Sequence, residues 1–218
     1  MVTLGLSREG RSVGFWGTFI VARSSRPVME LDGLTALVDR VVGQHAGGDG
    51  CQVVQLHRWP EEWNASPSPA GWEAVLVAVM EQTGQPVLAG TVFDSDGAQL
   101  IGYGPKAGRW GGWLMLERIM GYLDRAAVGY AYEDDNGDTQ VEEVDDQTLR
   151  EIRDRLYGIC PPAHIAAPLA VRWASEAGLT ADSSRVEAVL GGHATFAEDL
   201  FYRLLTVLGL PGMADAEY

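Results

Sequence analysis

Six side chains could together bind a small polar or anionic ligand: Arg23, Arg26, His57, Trp59, Asp94 and Asp96. Each lies at or just beyond the end of an apolar, β-branched run that is typical of a strand. Arginine binds anions through several N–H donors, tryptophan stacks on flat groups, and histidine acts as an acid or a base. If the strands run parallel, their carboxyl ends form one edge of the sheet, where ligands bind. The alternative is that Arg23 and Asp94 form a structural ion pair there.

A second candidate surface is acidic, because eight of the fourteen residues from 133 to 146 are Asp or Glu. Asn136-Gly137 lies between two alternating runs, and this pattern predicts a hairpin. The residues expected to contact a basic partner are Glu133, Asp134, Asp135, Asp138, Glu142 and Glu143. Opposite charge speeds association, although a surface that merely keeps the protein soluble is the alternative.

Familiar catalytic and metal motifs are not recognisable in the sequence. There is no G-x-S-x-G or H-E-x-x-H pattern, and the two cysteines, Cys51 and Cys160, have no metal or redox spacing. The glycine-rich segment 102–108, with Lys106 inside it, resembles a phosphate-binding loop only loosely, and we expect a simple turn. The sequence therefore predicts no cofactor and no metal, and it leaves open whether the protein is an enzyme.

The composition limits the class of partner. A net charge of −14 argues against nucleic acid and allows a basic protein partner. No apolar run approaches the roughly 20 residues that a membrane-spanning helix needs, so no membrane association is predicted. The N-terminus lacks the apolar segment of a signal peptide, and we expect a cytoplasmic protein with reduced cysteines.

The elements that position these residues predict an α+β fold. Strands are expected at 12–22, 51–59, 87–93 and 98–103, and helices at 31–42 and 72–84. This β-α-β-α-β-β order predicts a mixed sheet, because strand–helix–strand units are usually parallel and the last pair is a hairpin. A glycine-rich connection at 104–112 then leads into a helix over 113–123. Residues 1–145 are assigned to the sheet region and 146–218 to a helical bundle packed against it, with no strand after residue 150.

The segment Gly14-Phe15-Trp16-Gly17-Thr18, followed by Ala22-Arg23 and Arg26-Pro27, resembles an uncharacterised family of actinobacterial proteins. That family has no assigned activity, so the resemblance implies no catalytic residue. Two functions stay open. One is a non-catalytic cytoplasmic binding protein, either a regulator or an acidic immunity-type inhibitor of a basic partner. The other is a small-molecule enzyme or sensor with its site at the carboxyl ends of the strands, and the lack of a catalytic motif favours the first.

Overall fold

The computed structural model describes residues 14–57, 69–126, 130–133, 139–142 and 145–210. A six-stranded sheet forms its centre, in the order β2-β3-β1-β4-β5-β6, and each neighbouring pair is antiparallel. The strands are β1 (Gly17–Arg23), β2 (Val41–Ala46), β3 (Cys51–His57), β4 (Val87–Phe93), β5 (Gly97–Gly104) and β6 (Gly108–Leu114). A separate two-stranded sheet pairs β7 (Tyr130–Glu133) with β8 (Thr139–Glu142), which confirms the second predicted hairpin.

Helices cover both faces of the six-stranded sheet, which confirms the α+β class. They are α1 (Pro69–Thr83), α2 (Leu116–Ala126), α3 (Asp146–Ile159), α4 (Ala163–Glu176), α5 (Ser183–Leu190) and α6 (Ala197–Val207). Alternate residues of β1 face opposite ways, so Phe19 and Val21 pack with α4, α5 and α6. Ile20 and Ala22 pack on the other side with α1 and the segment 28–37. Burial on both faces explains why residues 19–22 of β1 form an unbroken apolar run.

The predicted mixed sheet is wrong, because β1 is antiparallel to both of its neighbours. The predicted helix over 31–42 is also wrong. Gly33 adopts a φ of +89°, outside the helical region, and the segment instead forms two 3₁₀ turns, Val28–Glu30 and Thr35–Arg40. The β-branched Val41 and Val42 then start the edge strand β2, which reverses into β3. The reversal from β2 into β3 takes the place of the predicted helical crossover, so β3 pairs antiparallel with β1.

The glycine-rich connection predicted at 104–112 contains a strand, β6, which pairs along the length of β5. Glycine disfavours strands by itself, but here it allows close packing. A Cβ on Gly102 would lie 2.0 Å from the Trp110 indole nitrogen, so the bare backbone makes room for that ring. Gly112 faces Ala166 and Leu190 from the covering helices.

The C-terminal part of the chain is helical, as predicted, and residues 150–209 contain no strand. Helices α4, α5 and α6 belong to the same core cluster as the sheet. The division into regions 1–145 and 146–218 stays a prediction. Among the described residues no helix is long and apolar enough to cross a membrane.

Candidate functional site

The six residues of the first predicted site lie at two ends of the sheet. Gly17 is paired with His57 and with Val92, whereas Arg23, at the far end of β1, is paired with Cys51. The six residue steps of β1 separate these ends by about 20 Å. The strands therefore do not bring these residues together at one edge of the sheet, as parallel strands would. Trp59 lies outside the described residues.

The two arginines each have a local partner at their end of the sheet. Arg23 donates from Nη1 to the carbonyl oxygen of Ala177 at 2.8 Å. Arg26 is exposed, and its Nη2 lies 3.4 Å from Oε1 of Gln82 at the end of α1. The predicted alternative, an ion pair of Arg23 with Asp94, does not form because the antiparallel strands place the two residues at opposite ends.

His57, Asp94 and Asp96 lie at the same end of the sheet, where the β4–β5 hairpin turns, with β1 between His57 and the hairpin. The His57 Nδ1 is 3.2 Å from the Trp16 carbonyl oxygen, and its ring stacks on Phe15. Asp96 pairs with Arg118 of α2 at 3.3 Å. The side chain of Asp94 has no hydrogen-bond partner in the part of the chain that the structure describes. We call this end, formed by residues 15–16, His57, residues 93–96 and Phe196, the aromatic end.

Ser95 holds the aromatic end together. It occupies a left-handed turn position, with φ of 57°, after Asp94 at 53°. Its hydroxyl accepts a hydrogen bond from the Phe15 N–H and donates to Oε1 of Glu198, both at 2.7 Å. Its own N–H donates to the Phe15 carbonyl oxygen, and its carbonyl oxygen accepts from the Ala197 N–H. One serine therefore joins the hairpin to the segment before β1 and to the start of α6.

Glu198 is a buried carboxyl, 8% exposed, in the first turn of α6. Its Oε2 has no hydrogen-bond partner among the described residues. Burial raises the pKa of Glu198, while the hydrogen bond from Ser95 opposes that rise. Thr195-Phe196-Ala197-Glu198 has the spacing of a capping box, but the N-cap is Phe196 and Glu198 instead accepts a hydrogen bond from Ser95.

Two large aromatic side chains are exposed next to Ser95. Trp16 is 43% exposed and Phe196 is 47% exposed. Each is the chain neighbour of a residue whose backbone is hydrogen-bonded to Ser95. The edge of Trp16 packs on Phe93, with ring centroids 6.1 Å apart. The backbone around both aromatic residues is thus fixed while the rings remain accessible to solvent.

The glycine-rich segment 102–108 is the turn between β5 and β6, so it does not lead from a strand into a helix. The N–H groups of Lys106 and Ala107, at the tip of this turn, donate to the carboxylate of Glu176 at 2.6 and 2.8 Å. A Cβ on Gly104 would lie 2.3 Å from that carboxylate. The amides that a phosphate would use are therefore already bound to an internal anion.

Sequence reasoning missed a groove where the β6–α2, α3–α4 and α5–α6 connections meet. It encloses about 160 Å³. Cys160 lies in its wall, and His193, which pairs with Glu117 at 2.9 Å, lies there too. Cysteine, histidine and carboxylate recur in thiol enzymes. Here burial raises the pKa of Cys160 to about 11, and the thiol donates to the Leu100 carbonyl oxygen, so it is not an activated nucleophile.

The predicted acidic partner surface can be placed only in part. Glu133 ends β7 and Glu142 ends β8. Asp134, Asp135, Asp138 and Glu143 lie outside the described residues. Within the described ranges no group of three or more His, Cys, Asp or Glu residues is arranged to hold a metal ion.

The residues that sequence reasoning missed are Ser95, Glu198 and Phe196. Only the turn signal Asp94-Ser95-Asp96-Gly97 pointed to Ser95, and nothing in the sequence joined it to a residue 103 positions away. Comparison with protein-family models, with curated proteins and with solved structures finds no match to this chain.

Proposed function

We propose that the protein is a non-catalytic cytoplasmic binding protein that recognises a basic protein partner through the aromatic end. The observation that carries this proposal is the pair of half-exposed rings, Trp16 and Phe196, beside the Ser95 turn. Tryptophan and other large aromatic residues supply much of the binding energy at protein interfaces. Both rings lie at the end of the sheet where the β4–β5 hairpin turns, and exposed large apolar side chains can mark an interface.

Fixed backbone geometry supports this proposal, because binding costs less when the contact surface is already ordered. Four hydrogen bonds of 2.7–3.0 Å converge on Ser95 from the segment before β1 and from α6. They hold Phe15 and Ala197, the neighbours of the two exposed rings. A partner therefore has to order only the side chains of Trp16 and Phe196.

Charge supports a basic partner. Asp94 presents a carboxylate without a hydrogen-bond partner among the described residues, and it follows Phe93, on which Trp16 packs. An arginine or lysine placed there can pair with Asp94 and lie on the face of the Trp16 ring. The net charge of −14 attracts such a partner from a distance. The acidic residues of 133–146 would contribute to this attraction.

A peptide library displayed on phage tests the proposal. We expect the protein to select peptides that combine Arg or Lys with an apolar anchor. The Trp16→Ser/Phe196→Ser variant should bind the selected peptides at least tenfold more weakly, as is usual for truncated anchor residues. The matched control is Val38→Ser/Ile165→Ser, which removes two equally exposed apolar side chains elsewhere and should leave binding unchanged.

Two results would contradict the proposal. One is selection of peptides without positive charge, and the other is equal binding by the Trp16→Ser/Phe196→Ser variant. A third variant tests the acidic residues separately, by neutralising Asp134, Asp135, Asp138 and Glu142. Slower association with a weaker salt dependence assigns these residues to steering, whereas unchanged association makes them a solubilising surface.

A further inference from the structure

The groove between the β6–α2, α3–α4 and α5–α6 connections has an apolar wall and a polar rim. The indole N–H of Trp113 donates to the Leu156 carbonyl oxygen, so the ring offers the groove only its apolar surface. Cys160 has its hydrogen bonds on the sheet side, to the Leu100 carbonyl oxygen and from the Gln99 amide. The wall is completed by Leu116, Pro161, Pro162, Ala163 and Leu190.

The side chains that could bind a polar group are at the rim. Glu117 uses one carboxylate oxygen to pair with His193, and both side chains are exposed. Tyr157 is also exposed, at 48%, and it lines the same groove. The neighbouring cation, Arg118, is bound to Asp96 and to the Ala194 and Thr195 carbonyl oxygens. His193 is already paired with one oxygen of Glu117, so the second Glu117 oxygen is the rim group that can accept from a cationic ligand.

We propose that this groove binds a single aromatic ring that carries a protonated amine. The size allows one ring, because a closed apolar cavity of about 150 Å³ in another protein holds one benzene molecule, and this groove, which is open to solvent, has a volume of about 160 Å³. The apolar wall takes the ring, and Tyr157 covers one side of it. The ammonium group lies at the rim, where it donates to Glu117. Neither the function proposed above nor the aromatic end is needed for this binding.

Charge selects the amine over an acid of the same shape. A carboxylate at the rim would lie near the Glu117 carboxylate in a protein of net charge −14. An uncharged ring would leave the second Glu117 oxygen to water and gain only the apolar contact. The ligand class is therefore an arylalkylamine, and 2-phenylethylamine is its simplest member.

Calorimetric titration of the full-length protein with 2-phenylethylamine tests this inference. With so few atoms in the ligand, we expect a Kd of about 0.1–5 mM. The matched acid, 3-phenylpropionate, and the ringless amine, propylamine, should each bind at least tenfold more weakly. The backbone amide signals of Gly191 and Gly192, which line the groove, should shift on addition of 2-phenylethylamine and not of propylamine.

Substitutions then test separately the charged rim, which binds the amine, and the apolar part, which binds the ring. Glu117→Gln should weaken 2-phenylethylamine about threefold to fivefold, the range for an exposed ion pair. His193→Ala should not weaken it, because the substitution frees an oxygen of Glu117. Tyr157→Ala should weaken the amine and leave the preference over the acid intact. Glu187→Gln, an exposed carboxyl of α5 that does not line the groove, is the control.

The inference is overturned if the binding heat of 2-phenylethylamine does not saturate, or if 3-phenylpropionate binds as tightly as the amine. It is also overturned if Glu117→Gln and Glu187→Gln bind the amine equally well. All four side chains to be replaced are exposed at the surface, so the variants should fold. Their circular dichroism and unfolding midpoints confirm this before each titration.

Discussion

Removing the Ser95 hydroxyl should destabilise the protein more than a typical serine substitution. Ser95 is 6% exposed, and its hydroxyl makes two hydrogen bonds of 2.7 Å. The bond from the Phe15 N–H is neutral and contributes about 1 kcal/mol, whereas the bond to the Glu198 carboxylate contributes about 2 kcal/mol. Ser95→Ala should therefore lower the free energy of unfolding by about 3 kcal/mol, which in a chain of this length lowers Tm by about 6–12 °C.

Ser95→Gly separates hydrogen bonding from backbone strain. Both substitutions remove the hydroxyl, but Ser95 has a φ of 57°, where a residue with a Cβ is strained by about 1 kcal/mol. Glycine is not strained there, so Ser95→Gly should cost about 2 kcal/mol. Ser175→Ala, at an exposed position of α4, should stay within about 0.5 kcal/mol of wild type.

The cost of Ser95→Ala should depend on pH through Glu198. Burial raises the pKa of Glu198 and the Ser95 hydrogen bond lowers it, so the bond favours the ionised carboxylate. Without the hydroxyl, the pKa of Glu198 in the folded protein rises further. The stability difference between wild type and Ser95→Ala is therefore largest at neutral pH. It shrinks as the pH falls through the folded pKa values and Glu198 becomes protonated in both proteins.

Urea unfolding at neutral and acid pH measures these differences, with Glu198→Gln as the partner in a double-mutant cycle. In the Glu198→Gln background, Ser95→Ala should cost about 1 kcal/mol less, because no buried carboxylate loses its donor. A Ser95→Ala variant within 0.5 kcal/mol of wild type would refute the argument. Equal losses for Ala and Gly would show instead that the backbone turn is unstrained.

Three further predictions concern other parts of the fold. Burial and the hydrogen bond to Glu73 raise the pKa of Tyr103 to about 12, so this group stabilises the protein below its ordinary pKa near 10. Tyr103→Phe should thus cost about 1 kcal/mol at pH 8, and its unfolding free energy should converge on wild type between pH 10 and 12. Cys160, 1% exposed with a pKa of about 11, should react with Ellman's reagent only after unfolding, and rapid reaction of the native thiol at pH 7 would contradict its burial. Gly90→Ala should cost about 3 kcal/mol by thermal denaturation, because the new Cβ would lie 2.4 Å from the Phe201 ring, and an unchanged Tm would show that this ring moves freely.

Local sequence patterns predicted several elements correctly because short-range physics determines them. The Asp94–Gly97 turn between apolar runs forms the β4–β5 hairpin, with Asp94 and Ser95 in its left-handed positions. Helix α1 ends before Gly84, whose φ is +62°. The Asn136-Gly137 signal also identified the pairing of β7 with β8. In each case residues close in the chain provide the whole signal.

Long-range packing decided what the sequence could not show. Gly108–Leu114 is a strand because β5 offers it a partner and the covering helices need glycine beneath them, although glycine has little strand preference of its own. Strand β3 runs antiparallel to β1 because two 3₁₀ turns and the edge strand β2 precede it. The apolar periodicity of residues 31–42 instead indicates a helix. Because β3 and β4 both run antiparallel to β1, Arg23 lies at the opposite end of the sheet from His57 and Asp94.

The candidate sites also divide into a property that composition predicts and contacts that only the fold creates. Composition alone predicts a basic partner, since net charge is a sum over the chain and needs no fold. The aromatic end depends on Ser95 meeting Phe15 and Glu198, which are 80 and 103 residues away. The groove likewise joins Glu117 to His193. Such contacts form only when the sheet and helices close around one core, so only the tertiary structure could bring these residues together.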